Sequence, residues 1–591
     1  MAGTWTTFAV PDSSTGAFAA DVMILLTDGS VLVHNGYTIT NPLANANQWL
    51  RLAPDRHGRY ESGQWIAEVH MKNARQWFAS GILRDGRLFA IGGEDSTAGS
   101  DTPAGEIFDP ETNLWHDISK PSSFDFVRGD CNGTVLADGR VLLGGATPSG
   151  PPPSWSKRTA IWDPETNGWT EAGLRFGVLP KTDKGDPFEE ETFVLLRDGS
   201  VLAPAVRDQP KAQRYVPELD EWIHAHAAPV SLAIDVLSGT EVYETGGAVV
   251  LPDGHVFVVG GSGRTAIFKP GLHLNSPGSW SVGPSFPADT SASPNWPTLT
   301  ALDSPVCLLP SGKAICLAGT TTPLAGDYFS LDPVFLEYDP HGSGATLPAL
   351  AAQPTLPAGN YTYQSNFLIL PTGQLLCSAQ SNTLFLYTPD PHERPHHDWR
   401  PAHIEAPEFM RPGHSYRLRG LQINGLCQAV SYGDDAGMAT NYPIVRLRHA
   451  HSGHVTYLRS HGFSTLGIAT GRIAPHDLQH CTIDIPSSLS LGNYELEVVA
   501  NGIASEPLHV RIGLHEEHRR YVGLIEALDY DRFGKFESFR LEEVSGAVRR
   551  FESLEPGIAE LARRAWAERT RIEVRVDADH PHRPASISLL N

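Results

Sequence analysis

The sequence predicts an all-β chain built around a seven-bladed β-propeller, and three observations predict it. The first is a hairpin unit that returns seven times: LLTDGSVLV, LRDGRLFAIGG, VLADGRVLLGG, LLRDGSVLAP, LPDGHVFVVGG, LPSGKAICLAG and LPTGQLLCSAQ. Its turn glycines, Gly29, Gly86, Gly139, Gly199, Gly254, Gly312 and Gly373, are spaced 57, 53, 60, 55, 58 and 61 residues apart. A near-constant period of this size marks a repeat architecture, and a glycine turn between two apolar runs marks a hairpin, because the turn needs φ > 0. The second observation is a strand, an Asp-Pro or similar pair, then a tryptophan: EIFDPETNLW, AIWDPETNGW, QRYVPELDEW and AIFKPGLHLNSPGSW, ending at Trp115, Trp169, Trp222 and Trp280. The third is composition, since 56 Gly and 46 Pro suit a turn-rich β chain better than a helical one.

Taken in order, TWTTFAV at the N-terminus carries the tryptophan an opening blade needs and is expected to close the ring against the last blade. Each unit supplies short strands. Proline ends the ladder, and the tryptophan packs between neighbouring units, because a repeat cannot bury its own face alone. FLEYDP near Tyr338 and LFLYTPDPHERPHHDW ending at Trp399 are looser copies, so the propeller is expected over residues 1–397. From about Pro401 the pattern changes to short alternating strands with turns, which fit an immunoglobulin-like sandwich over 398–515. The last segment, 516–591, reads as a small α+β appendage. It has strands in RYVGLIEALDYDRFGKFESFRLEE, then Ile558, Leu561, Ala562, Ala565 and Trp566 at helical spacing after Pro556, then the strand RIEVRVDA.

The formal net charge of -22 argues against nucleic acid, whose phosphates demand a basic face. No apolar run approaches the ~18–20 residues that span a bilayer. MAGTWTTFAVPDSSTG has neither a basic n-region nor an apolar h-region, so a cytoplasmic protein is expected, or a secreted one if a leader has been removed. The six cysteines (131, 307, 316, 377, 427, 481) are scattered, show no metal-type spacing, and read as small core residues.

The glycine-pair hairpins and Asp-Pro-Trp strands resemble Kelch repeats. A Kelch-type propeller followed by such a sandwich resembles galactose oxidase and the related glyoxal oxidases, secreted copper-radical enzymes, over roughly residues 1–513. The resemblance implies an axial copper held by two tyrosines, one cross-linked to a cysteine, by a propeller histidine and by a histidine on a threaded sandwich loop. The positions depart from that pattern. The family's Arg-Gly-Tyr reads Arg128-Gly129-Asp130, and its cross-linking cysteine falls near Ala79. Its stacking tryptophan falls near Thr147, and its Tyr-His pair reads Tyr363-Gln364. His454 in SGHVTYL is the one counterpart found for the sandwich histidine. The resemblance therefore implies the fold together with a degenerate copper site, and copper is not expected.

The same register, nine or ten residues before each turn glycine, marks where an inner strand enters the axial channel. It gives Ala20, Trp77, Asp130, Glu190, Glu244, Asp303 and Tyr363-Gln364. Four consecutive blades present a carboxylate, Glu189 and Glu191 flank the second, and Asp21 is close to the register in the first blade. Acids grouped at one end of a channel repel one another and raise each other's pKa values unless a cation compensates. Arg75 and Arg128, two residues from Trp77 and Asp130, are placed to compensate. Three readings follow. Asp130, Glu190 and Glu244, with Tyr363 and His454, could act as acid–base machinery on a glycan. Three or four carboxylates with His454 could hold a divalent cation such as Ca²⁺ or Mn²⁺. The acids with Trp77 and Tyr363 could form a sugar-binding surface, for which Trp77, Arg75, Arg128, Gln364 and Asp303 are the substrate-binding candidates. The bland alternative is that these are blade-end acids, solvated or paired with arginine.

Other groups carry less. His449, His451, His454 and His461 are not placed on one face by strand geometry. His396-His397 read as solvated, and Cys131, with neither His nor Lys beside it in sequence, reads as a core thiol. GGSGR at 260–264 reads as a propeller turn, since no strand-to-helix context makes it a phosphate loop. The reading that results is a carbohydrate-directed protein with one axial site beneath a sandwich loop carrying His454, a non-radical hydrolase, lyase or epimerase. The alternative is a lectin or a scaffold that binds a protein partner through 516–591.

Overall fold

The structure is a computed structural model that describes residues 3–36, 43–94, 101–145, 156–173, 184, 187–188, 191–237, 240–291, 296–321, 329–428, 440–470, 478–514, 518–577 and 580–590. Among them the chain is nearly all β, with one α-helix, Pro556–Glu568. No helix among the described residues is long and apolar enough to cross a membrane.

Seven antiparallel sheets follow one another along the chain, six with four described strands and the sixth with three. Their innermost strands are Ala20–Leu25, Ala79–Ile82, Gly133–Val135, Val194–Leu195, Ala248–Val250, Val306–Leu308 and Asn366–Ile369. Each is joined to the next strand of its sheet through the repeated turn. In the third blade, Gly133 pairs with Leu143 and Val135 with Val141 across Gly139, which sits at φ 90°. The inner strands also touch their counterparts in neighbouring blades, which makes the sheets a ring of blades. Second strands such as VLVHN, LFAI, VLLG and VFVV are buried at every position, because each blade is covered on both faces by its neighbours. Outermost strands alternate toward solvent, as QWIAEVH does.

Closure occurs where the sequence places it. Thr4–Ala9 pairs antiparallel with Thr383–Thr388 and becomes the outer strand of the last blade. Trp5 Nε1 donates to Ala352 O at 3.0 Å, and its ring packs 4.9 Å from Phe335 in the sixth blade. The repeated tryptophans bridge blades in the same sense. Trp115 lies 5.6 Å from Trp49 of the first blade, Trp222 Nε1 donates to Thr159 Oγ1 of the third, and Trp280 Nε1 donates to Ala225 O of the fourth. Trp399 is different. It belongs to a short 3-10 turn, His397–Trp399, and fills the space against Gly312, so it is no blade tryptophan. One hairpin was not expected: Ile234–Leu237 pairs with Thr240–Glu244 ahead of the fifth blade.

The first compact unit comprises residues 1–406, 415–484 and 495–508. Beyond the ring it holds the sheet Ala402–Glu405, Ser415–Leu421, Gln479–Asp484 and Ser460–His461, and the strands Ile444–His449 and Val455–Leu458. The immunoglobulin-like assignment of this region stays a proposal.

The second unit comprises 407–414, 485–494 and 509–591. Its core is a five-stranded antiparallel sheet, Val548–Glu552, Phe536–Glu543, His518–Tyr530, Ile572–Asp577 and Pro584–Leu589 in spatial order, with the helix against it. The helix starts with Pro at its first turn and stops at Arg569, whose φ of 48° is left-handed. The expected apolar stripe needs correction. The buried positions are Ala559, Ala562 and Ala565, whose small side chains let the helix lie close to the sheet, while Trp566 is 50% exposed.

Candidate functional site where the inner strands begin

The turn glycines lie at one end of the ring, and residues beyond the propeller cover that end. Tyr457 packs on Gly29, Phe463 N donates to Arg84 O at 3.1 Å, and Leu466 N donates to Ala137 O at 2.9 Å. Gln428 reaches the inner strands themselves. Its carbonyl accepts from Val250 N at 3.0 Å and its Oε1 from Leu195 N at 2.8 Å. Tyr442 donates its hydroxyl to Leu25 O, at the end of the first inner strand.

His454 is not part of this insertion. It is exposed in a surface turn, its ring 6.2 Å from that of His57 in an outer turn of the first blade. The next residue is tied there, Val455 N donating to Arg56 O at 2.9 Å. The expectation that His454 covers the axis is therefore corrected: a short hairpin anchored at the rim cannot reach it.

The opposite end is built from the starts of the inner strands, and backbone contacts pass from blade to blade around it. Gly93 N donates to Gly129 O at 2.9 Å, and Asn132 Nδ2 donates to Glu191 O. Asp303 N donates to Thr245 O at 2.8 Å, Thr362 Oγ1 to Leu302 O at 2.6 Å, and Ala20 N to Ser381 O at 2.8 Å. Trp77, Asp130, Glu244, Asp303 and Tyr363-Gln364 belong to this end. Glu190 lies outside the described residues.

Trp77 and Tyr363 come from the second and seventh blades, with the first blade between them, yet their rings meet edge to face at 6.2 Å. Tyr363 also stacks on Tyr361 at 5.4 Å and meets Phe329 at 4.7 Å. Beside this ledge Gln364 Nε2 donates to Gln380 Oε1 at 3.1 Å. Trp77 Nε1 and Gln380 Nε2 are buried donors with no acceptor among the described residues. Backbone strain gathers here too: Trp77, Tyr243, Asp303 and Gln380 hold φ of 46°, 46°, 51° and 43°, a region bulky side chains avoid unless their surroundings impose it.

Among the acids, Glu244 and Asp303 are buried and Asp130 is partly exposed, and each interacts with other protein groups. Arg75 is not the counter-ion that the sequence suggested. Arg75 is fully buried and its Nη2 reaches Glu106 Oε1 at 2.6 Å, while its Nη1 donates to Gly92 O and Ala104 O. Burial draws its pKa down, and Glu106 opposes that shift. It stitches the second blade together and is not a counter-ion to Asp130. Arg128 Nη2 donates to Asp101 O at 2.9 Å. Cys131 is a core thiol, contacting Ile91 O at 3.3 Å, with burial pushing its pKa up to about 11.

A copper centre of the resembling family needs imidazole and phenolate donors. Gln364 stands where the histidine would, and its Oε1 already accepts from Tyr361 N at 2.9 Å and Asn360 Nδ2 at 3.2 Å. No group of three or more His, Cys, Asp or Glu side chains among the described residues is arranged to hold a metal. Among the described residues, neither a copper-ligand set like that family's nor the carboxylate set expected for Ca²⁺ or Mn²⁺ is assembled. The four histidines disperse in the same way: His461 Nε2 meets Asp484 at 3.2 Å, while His449 Nδ1 accepts from Ser452 N within its own turn.

Sequence reasoning missed Tyr361, Phe329 and Gln380. Gln380 closes the last hairpin copy, LPTGQLLCSAQ, so reading where second strands leave the ring, as well as where inner strands enter, would have found it.

Residues 81–122 match the Kelch motif family. The chain is 25% identical over 239 residues to a galactose oxidase of Gibberella zeae, a match covering 36% of this chain and 32% of that protein. The aligned part is thus about a third of the relative's length. Among solved structures, a fungal alcohol oxidase of the AA5 family in complex with copper aligns over 87% of this chain and 100% of its own, at 14% identity and a TM-score of 0.46. The WD40 β-propeller domain of Doa1 aligns over 66% of this chain and 99% of its own, at 11% identity and a TM-score of 0.36. In sequence the chain thus carries a Kelch motif and is similar to galactose oxidase over about a third of its length.

Proposed function

We propose that this chain is a carbohydrate-directed propeller protein that takes a sugar at the end of the ring remote from its glycine turns. The observation that carries the reading is the ledge formed by Trp77 and Tyr363 from non-adjacent blades, with buried amide and indole donors beside it. Aromatic faces bind the apolar side of a sugar ring, and fixed donors select its hydroxyls. The shared segment with a protein named for galactose supports a sugar or alcohol as the ligand class.

The chemistry we propose is non-radical. Glu244 and Asp303 lie on neighbouring blades joined by the Asp303 N to Thr245 O bond, and would supply the acid and the base, with Asp130 a further carboxylate at the same end. No step is routed through copper, because Gln364 and Asp130 stand where the family's ligands would be.

Calorimetric titration of a galactose-terminated oligosaccharide tests the site. Trp77→Ala is expected to weaken binding about tenfold and Trp77→Phe much less. Equal affinity in all three proteins would refute the assignment. Release of hydrogen peroxide on incubation with galactose would overturn the non-radical part.

A second reading, partner binding through the C-terminal unit, is favoured by its exposed apolar side chains, Phe533 at 79% and Val544 at 75% exposure together with Trp566.

A further inference from the structure

The solvent face of the sheet containing Ser415–Leu421 and Gln479–Asp484 carries two arginines that no carboxylate among the described residues answers. Arg417 and Arg419 alternate along their strand, so both stand on the exposed face, opposite Thr482 and His480. Among the described residues neither has a carboxylate within 4.0 Å, although Glu405 is the ladder partner of Arg419. Arg417 Nη2 donates to His480 Nε2 at 3.2 Å. Accepting that bond leaves the ring proton on Nδ1. Burial first, then Arg417, Arg419 and Arg84, hold the His480 pKa below that of an ordinary histidine.

Beside His480 lies a depression of about 360 Å³, formed with Leu83, Arg84, Phe463 and Ser464. Its acids are already answered: Asp85 by Arg87 at 2.7 Å and Glu165 by Arg84 at 3.4 Å. At the far end of the ladder Asp484 is held by Arg459 at 2.9 Å and His461 at 3.2 Å. Arg417 and Arg419 are thus surplus positive charge on a chain of net charge -22. Two guanidinium groups side by side repel each other, and their planar forks match an oxyanion.

We propose that Arg417, Arg419 and His480 form an anion subsite that binds an acidic saccharide through a carboxylate or sulfate group, with the sugar lying in the adjoining depression. The depression is larger than an oxyanion needs, and its Phe463 wall suits a sugar's apolar side. Two charges are too few for a polyphosphate backbone on so acidic a protein. The choice of a saccharide rests on the carbohydrate reading above; the anion preference does not.

The test titrates the full chain with a galacturonic acid trisaccharide, its neutral galactose counterpart and inorganic sulfate. The acidic trisaccharide is expected to bind more tightly than either of the others. Its affinity should fall about tenfold in R417S/R419S and fall with added salt, with the thermal transition unchanged. Trp77→Ala should leave this binding intact, which separates a failure of this site from a failure of the axial one. Three results would overturn the proposal: equal binding of neutral and acidic trisaccharides, sulfate binding as tight as the trisaccharide, or loss of acidic-trisaccharide binding in Trp77→Ala but not in R417S/R419S.

Discussion

Trp77 and Tyr363 belong to blades that are not neighbours, yet their ring centroids are 6.2 Å apart at 73°. Tyr363 is packed in turn against Tyr361 at 5.4 Å and Phe329 at 4.7 Å.

Within the second blade, Arg75 and Glu106 form a pair with almost no exposure. Arg75→Met should destabilise the propeller by about 3 kcal/mol, because the buried Glu106 would keep only the Lys72 and Asn73 amides in place of a guanidinium. The double change Arg75→Met with Glu106→Leu should recover part of that loss, the remainder being the Lys72 and Asn73 amides left without their acceptor. Chemical denaturation of the three proteins checks it, and a double variant no better than the single one would contradict it.

Lys120 offers a pH signature. Its amine donates to Val127 O at 2.6 Å and Phe124 O at 3.2 Å, and burial draws its pKa down to about 8. The unfolded chain holds that proton up to an ordinary lysine pKa of about 10.4, so between these values the unfolded state binds more protons and stability rises with pH. The buried thiols act oppositely over part of this range, because burial raises their pKa values. The difference between wild type and Lys120→Met therefore isolates the lysine. It should grow in favour of wild type from pH 8 to 10, by up to about 3 kcal/mol. A flat difference would show that the fold does not draw the Lys120 pKa below its ordinary value.

Trp5→Ala removes a ring packed on Phe335 and Tyr387 and its bond to Ala352 O. A loss of about 3–5 kcal/mol is expected from the cavity. Hydrogen exchange should locate the loss in the first strand and the last blade, and uniform loosening across all blades would argue against a local clasp.

Where the inner strands begin, Gln380→Ala should weaken sugar binding about fivefold while leaving the melting transition nearly unmoved, because one of its amide donors has no protein acceptor among the described residues. A large drop in melting temperature with unchanged binding would assign Gln380 a purely structural role.

The ring was legible because a glycine turn and a bridging tryptophan recur with it: Gly139 holds its positive φ, and Trp222 and Trp280 each bond to the preceding blade. The register in front of the turns also picked out Trp77 and Tyr363, whose rings meet at 6.2 Å. It failed for Arg75, because sequence spacing does not say whether a side chain turns outward or back to its own blade's Glu106. It failed for His454, because a family-like position in a hairpin says nothing of where the hairpin is anchored. The insertion at the other end lay in Gln428, a neutral residue whose value comes from satisfying two backbone amides 55 residues apart, Leu195 and Val250, which no local pattern reveals.

The pairing of Thr4–Ala9 with Thr383–Thr388 also fixes an order of events during synthesis. The first strand leaves the ribosome almost 380 residues ahead of its partner, so it must wait as an unpaired edge while six blades assemble behind it. An edge of that kind can zip onto the wrong neighbour. The moment of greatest exposure to misassembly therefore comes just before the seventh blade emerges, and faster translation through the codons for 366–388 would shorten it.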